Sequence, residues 1–88
     1  MNIKINNNDD DLIALTDLSL ASALSLTIPI LDIDISNPKQ AIFYFKNSKE
    51  LKETIDSFWN ETLHVSPLNY FNAIKNLKSR MYQKGRYV

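Results

Sequence analysis

The chain of 88 residues contains no cysteine, a single glycine and a single histidine. Without cysteine it can form neither a disulfide bond nor a thiolate zinc site. Gly85 alone cannot make a glycine-rich phosphate loop, and His64 alone cannot make the histidine pair of a catalytic zinc motif. These absences remove the classes of enzyme and metalloprotein that are most readily identified from a sequence.

Long hydrophobic runs are also missing. The longest apolar-rich stretch, Leu18 to Leu31, is interrupted by Ser, Thr and Pro29 and is shorter than the ~20 residues of a membrane-spanning helix. The opening residues, MNIKINNNDDDL, lack the basic region and apolar stretch of a signal peptide. The hydrophobic fraction of 44% is that of a globular protein. We therefore expect one cytoplasmic domain over residues 1–88 with no membrane association.

Charge is balanced overall but unevenly distributed. Residues 1–38 carry six Asp against one Lys (−5), and residues 39–88 carry nine Lys or Arg against four acids (+5). No acidic residue follows Glu61. Such asymmetry is typical of a surface that binds polyanions, and equally of self-association between an acidic and a basic end. Both interpretations remain open.

Alternation of apolar and polar residues predicts three strands. The first is a short N-terminal strand in MNIKIN, followed by a polar loop at residues 6–11. The others are Leu31 to Ile35, in LDIDIS, and Ala41 to Phe45, in AIFYFK. Because the turn-forming NPKQ separates these two, we predict an antiparallel hairpin within residues 28–46. The short apolar run LIAL is assigned to no element.

Asp32 and Asp34 are the most evident candidates for a metal site or a catalytic pair. They lie on the polar face of the first hairpin strand, across from Tyr44. A metal ion needs further ligands, and an acid–base pair needs a cleft that separates the two pKa values. His64 lies in a separate segment and supplies neither. We therefore expect no metal site, no cofactor and no catalytic residue, and interpret both aspartates as solvated charges that protect the strand.

Helical periodicity and capping residues predict two helices around the hairpin. Thr16 or Asp17 caps a short first helix in DLSLASALS, and Asn47 with Glu50 caps a second helix near residues 48–60. The residues expected to face the core, including those of the last helix, are Phe43, Phe45, Leu51, Ile55, Phe58, Trp59, Phe71, Ile74 and Leu77.

A third helix is predicted after Ser66, which is suited to the N-cap and is followed by Pro67 at the first helical position. This helix should end near Gln83, before Gly85, leaving a basic tail at residues 84–88. At about 100° per residue, its apolar sector contains Tyr70, Phe71, Ile74, Leu77 and Met81. The opposite crest contains Asn72, Asn76, Ser79 and Gln83.

The cations of this helix are expected to border the apolar sector, as snorkelling side chains do, and to leave the crest neutral. A helix that lies along phosphates would instead carry its cations on the crest. A basic and aromatic tail can still contact a nucleic-acid backbone. The candidate interaction residues are Tyr44, Lys75, Lys78, Arg80, Lys84, Arg86 and Tyr87.

The predicted fold is α+β: a small antiparallel sheet, made of the hairpin and a short N-terminal strand, packed against a short N-terminal helix and two C-terminal helices. TDLSLASALSL, FYF and LKETIDSFWNETLHVSPLNYFNAIKNLKSRMY, within residues 16–82, resemble a family of short uncharacterised bacterial and mobile-element proteins. The resemblance supports the fold and implies no known reaction. The sequence departs from the family pattern in its Asn/Asp-rich start, in having no glycine before the hairpin, and in Glu61, where glycine is common.

The function expected is that of a small non-enzymatic interaction module. A protein-binding adaptor or inhibitor, able to form a homodimer, agrees with the zero net charge and the neutral crest. The alternative is a nucleic-acid-binding accessory protein that uses the basic C-terminal helix and tail.

Overall fold

A computed structural model describes residues 12–86, which form three strands and three helices. In chain order the elements are β1 (Leu12–Leu15), α1 (Leu18–Leu24), β2 (Asp32–Asp34), β3 (Ile42–Lys46), α2 (Lys49–Trp59) and α3 (Pro67–Arg86). The strands form one antiparallel sheet, so the predicted α+β class is confirmed. Among residues 12–86, no helix combines the length and the hydropathy that a bilayer crossing requires.

Strand β3 lies in the middle of the sheet, in the order β1-β3-β2. The predicted hairpin is confirmed, with Ile33 of β2 opposite Phe43 of β3. On the other side of β3, Ile13 of β1 lies opposite Phe45. Since directly opposed residues point to the same face, these side chains share the face that the helices cover. Asp32 lies opposite Tyr44 on the other face, as the sequence predicted.

Strand β1 is the apolar run LIAL, for which no element was predicted from the sequence. The strand predicted in MNIKIN and the polar loop at residues 6–11 lie outside the described residues. LIAL shows no alternation of polarity because all four of its residues are apolar, and in the structure all four are half-buried. Ile13 and Leu15 pack against the core, while Leu12 and Ala14 point to the opposite face. A strand that is apolar on both faces cannot be recognised by its periodicity.

The core lies between one face of the sheet and the three helices. Its buried members are Leu20, Ala21, Leu24, Ile28, Ile33, Phe43, Phe45, Leu51 and Leu77. Ile55 and Phe58 of α2 are partly buried against this cluster, and Ile74 of α3 is half-buried. The prediction was wrong for Phe71, which is 56% exposed, and for Trp59, which is 59% exposed.

Each helix begins at a residue whose side chain accepts a backbone N–H. Asp17 accepts the N–H groups of Ser19 at 2.9 Å and Leu20 at 3.1 Å. A further hydrogen bond from the Ser19 hydroxyl is the largest cause of the lowered pKa of Asp17. Ser48 Oγ accepts the N–H of Leu51 at 3.0 Å, so the N-cap of α2 is Ser48 and not Asn47 as predicted.

Helix α3 begins as predicted but ends later. Ser66 Oγ accepts the N–H of Asn69 at 3.3 Å, and Pro67 is the first helical residue. The helix continues to Arg86, beyond the predicted end at Gln83. Gly85 does not terminate it, because no described glycine adopts the positive φ of a helix-ending glycine. Residues 84–86 of the predicted tail are therefore helical.

Helix α2 ends in a Schellman motif whose left-handed residue is not glycine. The N–H of Glu61 donates to the Phe58 carbonyl at 3.1 Å, and the N–H of Thr62 donates to the Ser57 carbonyl at 2.9 Å. Glu61 has φ = 62°, in the left-handed region, where a side chain with Cβ is strained. The glycine expected here from the family resemblance would adopt this conformation without strain.

Replacing Glu61 by glycine should therefore raise the free energy of unfolding by about 1 kcal/mol, as measured by urea denaturation. The gain is the relief of backbone strain, less the larger entropy of a glycine in the unfolded chain. Glu61→Ala is the matched control, because it removes the same carboxylate but keeps Cβ. An equal gain from both substitutions would show that the charge of Glu61, and not its φ angle, is responsible.

Candidate interaction surface

The inner side of α3 is fixed by contacts with the rest of the domain. Leu77 is buried in the core, and Met81, one turn later, is partly buried against it. Near the start of the helix, the Tyr70 hydroxyl donates to the backbone carbonyl of Ser19 in α1 at 3.1 Å. These three residues set the rotation of α3 about its own axis.

The opposite side of α3 exposes large apolar residues. Leu68 is 66% exposed and Tyr82 is 75% exposed, and Phe71 lies between them on the same side. The spacing of these residues, with Lys75 and Lys78, follows the three- and four-residue steps of a helix face. We call Leu68, Phe71, Lys75, Lys78 and Tyr82 the outer face of α3.

The predicted neutral crest accounts for only part of the exposed side of α3. The polar residues assigned to the crest are exposed, but the side that points away from the core also carries Leu68 and Lys75. Periodicity placed Leu77 and Met81 on the buried side, as observed, but it did not fix the edge of that side, at Phe71. The contacts of Tyr70 and Leu77 choose the side, and they leave Phe71 outside the core.

Positive charge and aromatic surface adjoin each other on the outer face. The Lys75 ammonium lies 5.2 Å from the centre of the Phe71 ring, within the range of a cation–π contact. At an exposed site such a contact contributes about 0.5–1 kcal/mol. Lys75 therefore covers part of an apolar side chain while its charge stays accessible.

Two other cations of α3 lie beside the sheet and not on the outer face. Lys84 Nζ lies 3.4 Å from Asp32 Oδ1, in an ion pair between α3 and β2. The Lys84 side chain is 45% exposed and that of Asp32 is 65% exposed, so the pair contributes between about 0 and 1 kcal/mol. Together with Arg80 they line a shallow groove of about 350 Å³. The sequence did not predict this pair because its members are 52 residues apart.

Of the remaining candidate residues, Tyr44 lies apart from the outer face of α3. Tyr44 lies on the uncovered face of the sheet, in a groove of about 500 Å³ that also contacts the exposed ring of Trp59. Arg86 belongs to α3, but its side chain is not described. Tyr87 lies outside the described residues.

The carboxylate of Asp34 is hydrogen-bonded to Ser36, two residues later in the chain. Its Oδ1 accepts the Ser36 N–H at 2.9 Å and the Ser36 hydroxyl at 2.7 Å. Both hydrogen bonds stabilise the charged carboxylate and therefore lower the pKa of Asp34. The bond from the Ser36 backbone N–H is the larger cause, and the bond from the Ser36 hydroxyl is the second. Within residues 12–86 no group of three or more His, Cys, Asp or Glu side chains is arranged to hold a metal ion.

We predict that Asp32→Asn combined with Asp34→Asn leaves folding nearly unchanged. The amide oxygen of an asparagine at position 34 can still accept the Ser36 hydrogen bonds, and the lost ion pair is exposed. Calorimetric titration of the wild type with Mg²⁺, Ca²⁺ and Mn²⁺ should show no binding tighter than about millimolar, because two carboxylates on an open face are too few ligands. A micromolar isotherm that the double substitution abolishes would contradict this interpretation.

Leu68 and Tyr82 are the surface residues that sequence reasoning missed. Leu68 lies in the first turn of α3 and Tyr82 near its last turn, and neither falls in the apolar sector that periodicity identified. Their positions relative to Phe71 and Lys75 form a second stripe, which is recognisable once the buried side is known. The three- and four-residue spacing along this stripe is the signal in the sequence that could have identified both residues.

Residues 10–83 match the family described as Domain of unknown function (DUF5659). The chain belongs to this family. The match covers nearly all of the described domain, from before β1 to near the end of α3. No curated protein and no solved structure matches the chain. The resemblance seen within residues 16–82 is thus confirmed as a family relationship, and the matched residues of this chain have the α+β fold.

Proposed function

We propose that this DUF5659 protein is a non-enzymatic protein-binding module that acts as a cytoplasmic adaptor or inhibitor through the outer face of α3. The observation that carries the proposal is the exposure of Leu68, Phe71 and Tyr82 along one side of a helix whose other side is buried. A helix with two apolar sides buries one in its own domain and has the second available for a partner.

Exposed apolar residues that are scattered singly need no explanation, but a contiguous row does. Aromatic side chains of this kind supply most of the binding energy in protein interfaces when a partner covers them. The size of the domain suits an inhibitor that occupies a partner's surface, and carriage by a mobile element or phage would suit that role. Binding of a second copy of this chain would be another case of the same protein-binding function.

A nucleic-acid-binding function is the alternative, and one specific observation favours it. Lys75 and Lys78 are exposed on the same side of α3 as Phe71 and Tyr82. Aromatic rings with interspersed cations can stack bases and neutralise phosphates. Leu68, which is largely exposed and can neither stack nor pair with a phosphate, favours the protein partner.

Affinity capture from a native lysate, with recovery of both protein and nucleic acid, tests the proposal. Leu68→Ser combined with Phe71→Ser should abolish capture of specific proteins, because it removes the apolar anchors and leaves the number of cations on the helix unchanged. Asn72→Ser combined with Asn76→Ser is the matched control, because both residues are exposed and polar on the same helix. Equal capture by the two double variants would rule out the outer face as the binding surface.

The salt dependence of nucleic-acid affinity distinguishes the nucleic-acid-binding alternative from the proposed protein-binding function. Lys75, Lys78, Arg80, Lys84 and Arg86 could neutralise up to about five phosphates, which gives a slope of roughly −3 to −5 for log affinity against log salt. We expect no submicromolar binding of single-stranded or duplex DNA or RNA near physiological salt in fluorescence anisotropy. Submicromolar binding that Lys75→Ala with Lys78→Ala removes would make nucleic-acid binding the function.

A further inference from the structure

The outer face of α3 carries charge of one sign along an apolar stripe, and this combination specifies its occupant. We propose that the partner element seated on this face is an acidic amphipathic helix. The inference rests on the proposed protein-binding function and adds the conformation and the charge of the partner.

The length and shape of the outer face favour a helix. Leu68 and Tyr82 are fourteen positions apart, which corresponds to about 21 Å, or about four turns, along the axis of α3. A row of side chains of that length on one helix packs against the ridges and grooves of a second helix.

Backbone hydrogen bonding disfavours an extended peptide on this face. The backbone N–H and C=O groups within α3 bond to one another, so they offer no partners to another chain. An extended segment lying on the outer face would leave its own backbone groups unpaired beneath covering side chains, which is costly. A helix pairs its backbone groups internally and presents only side chains.

The charge of the face specifies an acidic partner. Lys75 and Lys78 lie within the outer face, and α3 contains no Asp or Glu. Covering these ammonium groups with an apolar or basic surface would remove water from them without compensation. Glutamates that flank the apolar stripe of a partner helix would pair with them and suppress binding of basic competitors.

The same charges argue against a second copy of α3 as the occupant. Lys75 lies at the midpoint between Leu68 and Tyr82. Two α3 helices related by a twofold axis at the centre of this stripe would place Lys75 against Lys75 of the other copy. Like charges brought together at the centre of an interface oppose association.

The test uses three fluorescein-labelled, hydrocarbon-stapled helical peptides of about 18 residues. They share one stripe of leucines and differ only in carrying Glu, Gln or Lys beside it. Titrated with the full chain at low salt, the Glu peptide should bind at least about tenfold more tightly than the Lys peptide in anisotropy measurements. High salt should reduce this difference, because the flanking charges are partly exposed.

Three variants of the full chain locate the effect. Lys75→Gln with Lys78→Gln should remove the preference for the Glu peptide while the Gln peptide still binds. Leu68→Ser with Phe71→Ser should abolish binding of all three peptides. Asn72→Ser with Asn76→Ser should change none of them.

The outcomes distinguish failure of the inference from failure of the proposed function. Equal binding of the three peptides, still dependent on Leu68 and Phe71, would overturn the acidic partner and leave the binding surface standing. Binding that is unaffected by Leu68→Ser with Phe71→Ser would overturn the surface itself. Absence of binding up to about 1 mM, dimers of the free chain in sedimentation that these substitutions dissociate, or displacement of the Glu peptide by a single-stranded oligonucleotide would each overturn the inference.

Discussion

Replacing Phe45 by alanine should lower the free energy of unfolding by about 3–5 kcal/mol. Phe45 is fully buried in the central strand, opposite Ile13 of β1, and it belongs to the core cluster that joins the sheet to the helices. Removing the ring loses its burial free energy and leaves a cavity that the central strand cannot close by moving. Since domains are stable by only about 5–15 kcal/mol, this loss is a large fraction of the total stability.

Phe71→Ala is the matched control for this substitution. It deletes the same ring from the outer face of α3, where more than half of the side chain is already in water. The expected change in unfolding free energy is below about 1 kcal/mol and comes mainly from the Lys75 contact. Urea denaturation of both variants measures the difference. Similar losses for the two phenylalanines would show that α3 is rotated differently from the arrangement described here.

Leu77→Ala should cost about 2–5 kcal/mol, for a different reason. Among the described side chains of α3, Leu77 is the one in the buried core cluster, so it holds the C-terminal helix on the domain. We expect the substitution to loosen α3 before the sheet unfolds, because β1, β2 and β3 are joined by their own hydrogen bonds. Hydrogen exchange should therefore show a larger loss of protection in α3 than in β3.

Leu68→Ala is the control for Leu77, because it makes the same change on the exposed side of the same helix. It should leave both the unfolding free energy and the exchange rates of α3 nearly unchanged. Uniform loss of protection across sheet and helix in Leu77→Ala would show that α3 and the sheet unfold as one unit. In that case, a substitution in the buried side of α3 could not loosen this helix without unfolding the whole domain.

The two pairs of substitutions also separate stability from binding. Phe45 and Leu77 support the fold and do not belong to the outer face, whereas Phe71 and Leu68 belong to it and contribute little to the fold. Under the proposed function, the first pair should affect binding only through loss of folded protein. The second pair should affect binding in a fully folded chain.

Much of this fold is determined by local sequence. Alternation in LDIDIS and AIFYFK predicts the hairpin, because a half-buried strand puts every second residue in the core. Ser66 before Pro67 predicts the start of α3, because a cap and a fixed φ act within one turn. The absence of cysteine and of a glycine-rich loop limits the chemistry of the protein in the same local way.

Other features were decided by tertiary structure. LIAL became a strand because β3 had a free edge on which four apolar residues could be half-buried, and not because of its own pattern. Lys84 pairs with Asp32 because α3 crosses beside β2, which no local signal encodes.

Of the features set by tertiary structure, the rotation of α3 about its own axis matters most for the proposed function, because it sets which side chains are exposed. Besides its buried apolar sector, this helix carries a second row of apolar residues, which Lys75 and Lys78 interrupt. The hydrogen bond from Tyr70 to Ser19 and the burial of Leu77 set this rotation. Packing against α1 and the sheet therefore determined that Leu68, Phe71 and Tyr82 remain in contact with solvent, because only the contacts of the assembled core fix where the buried side of the helix ends.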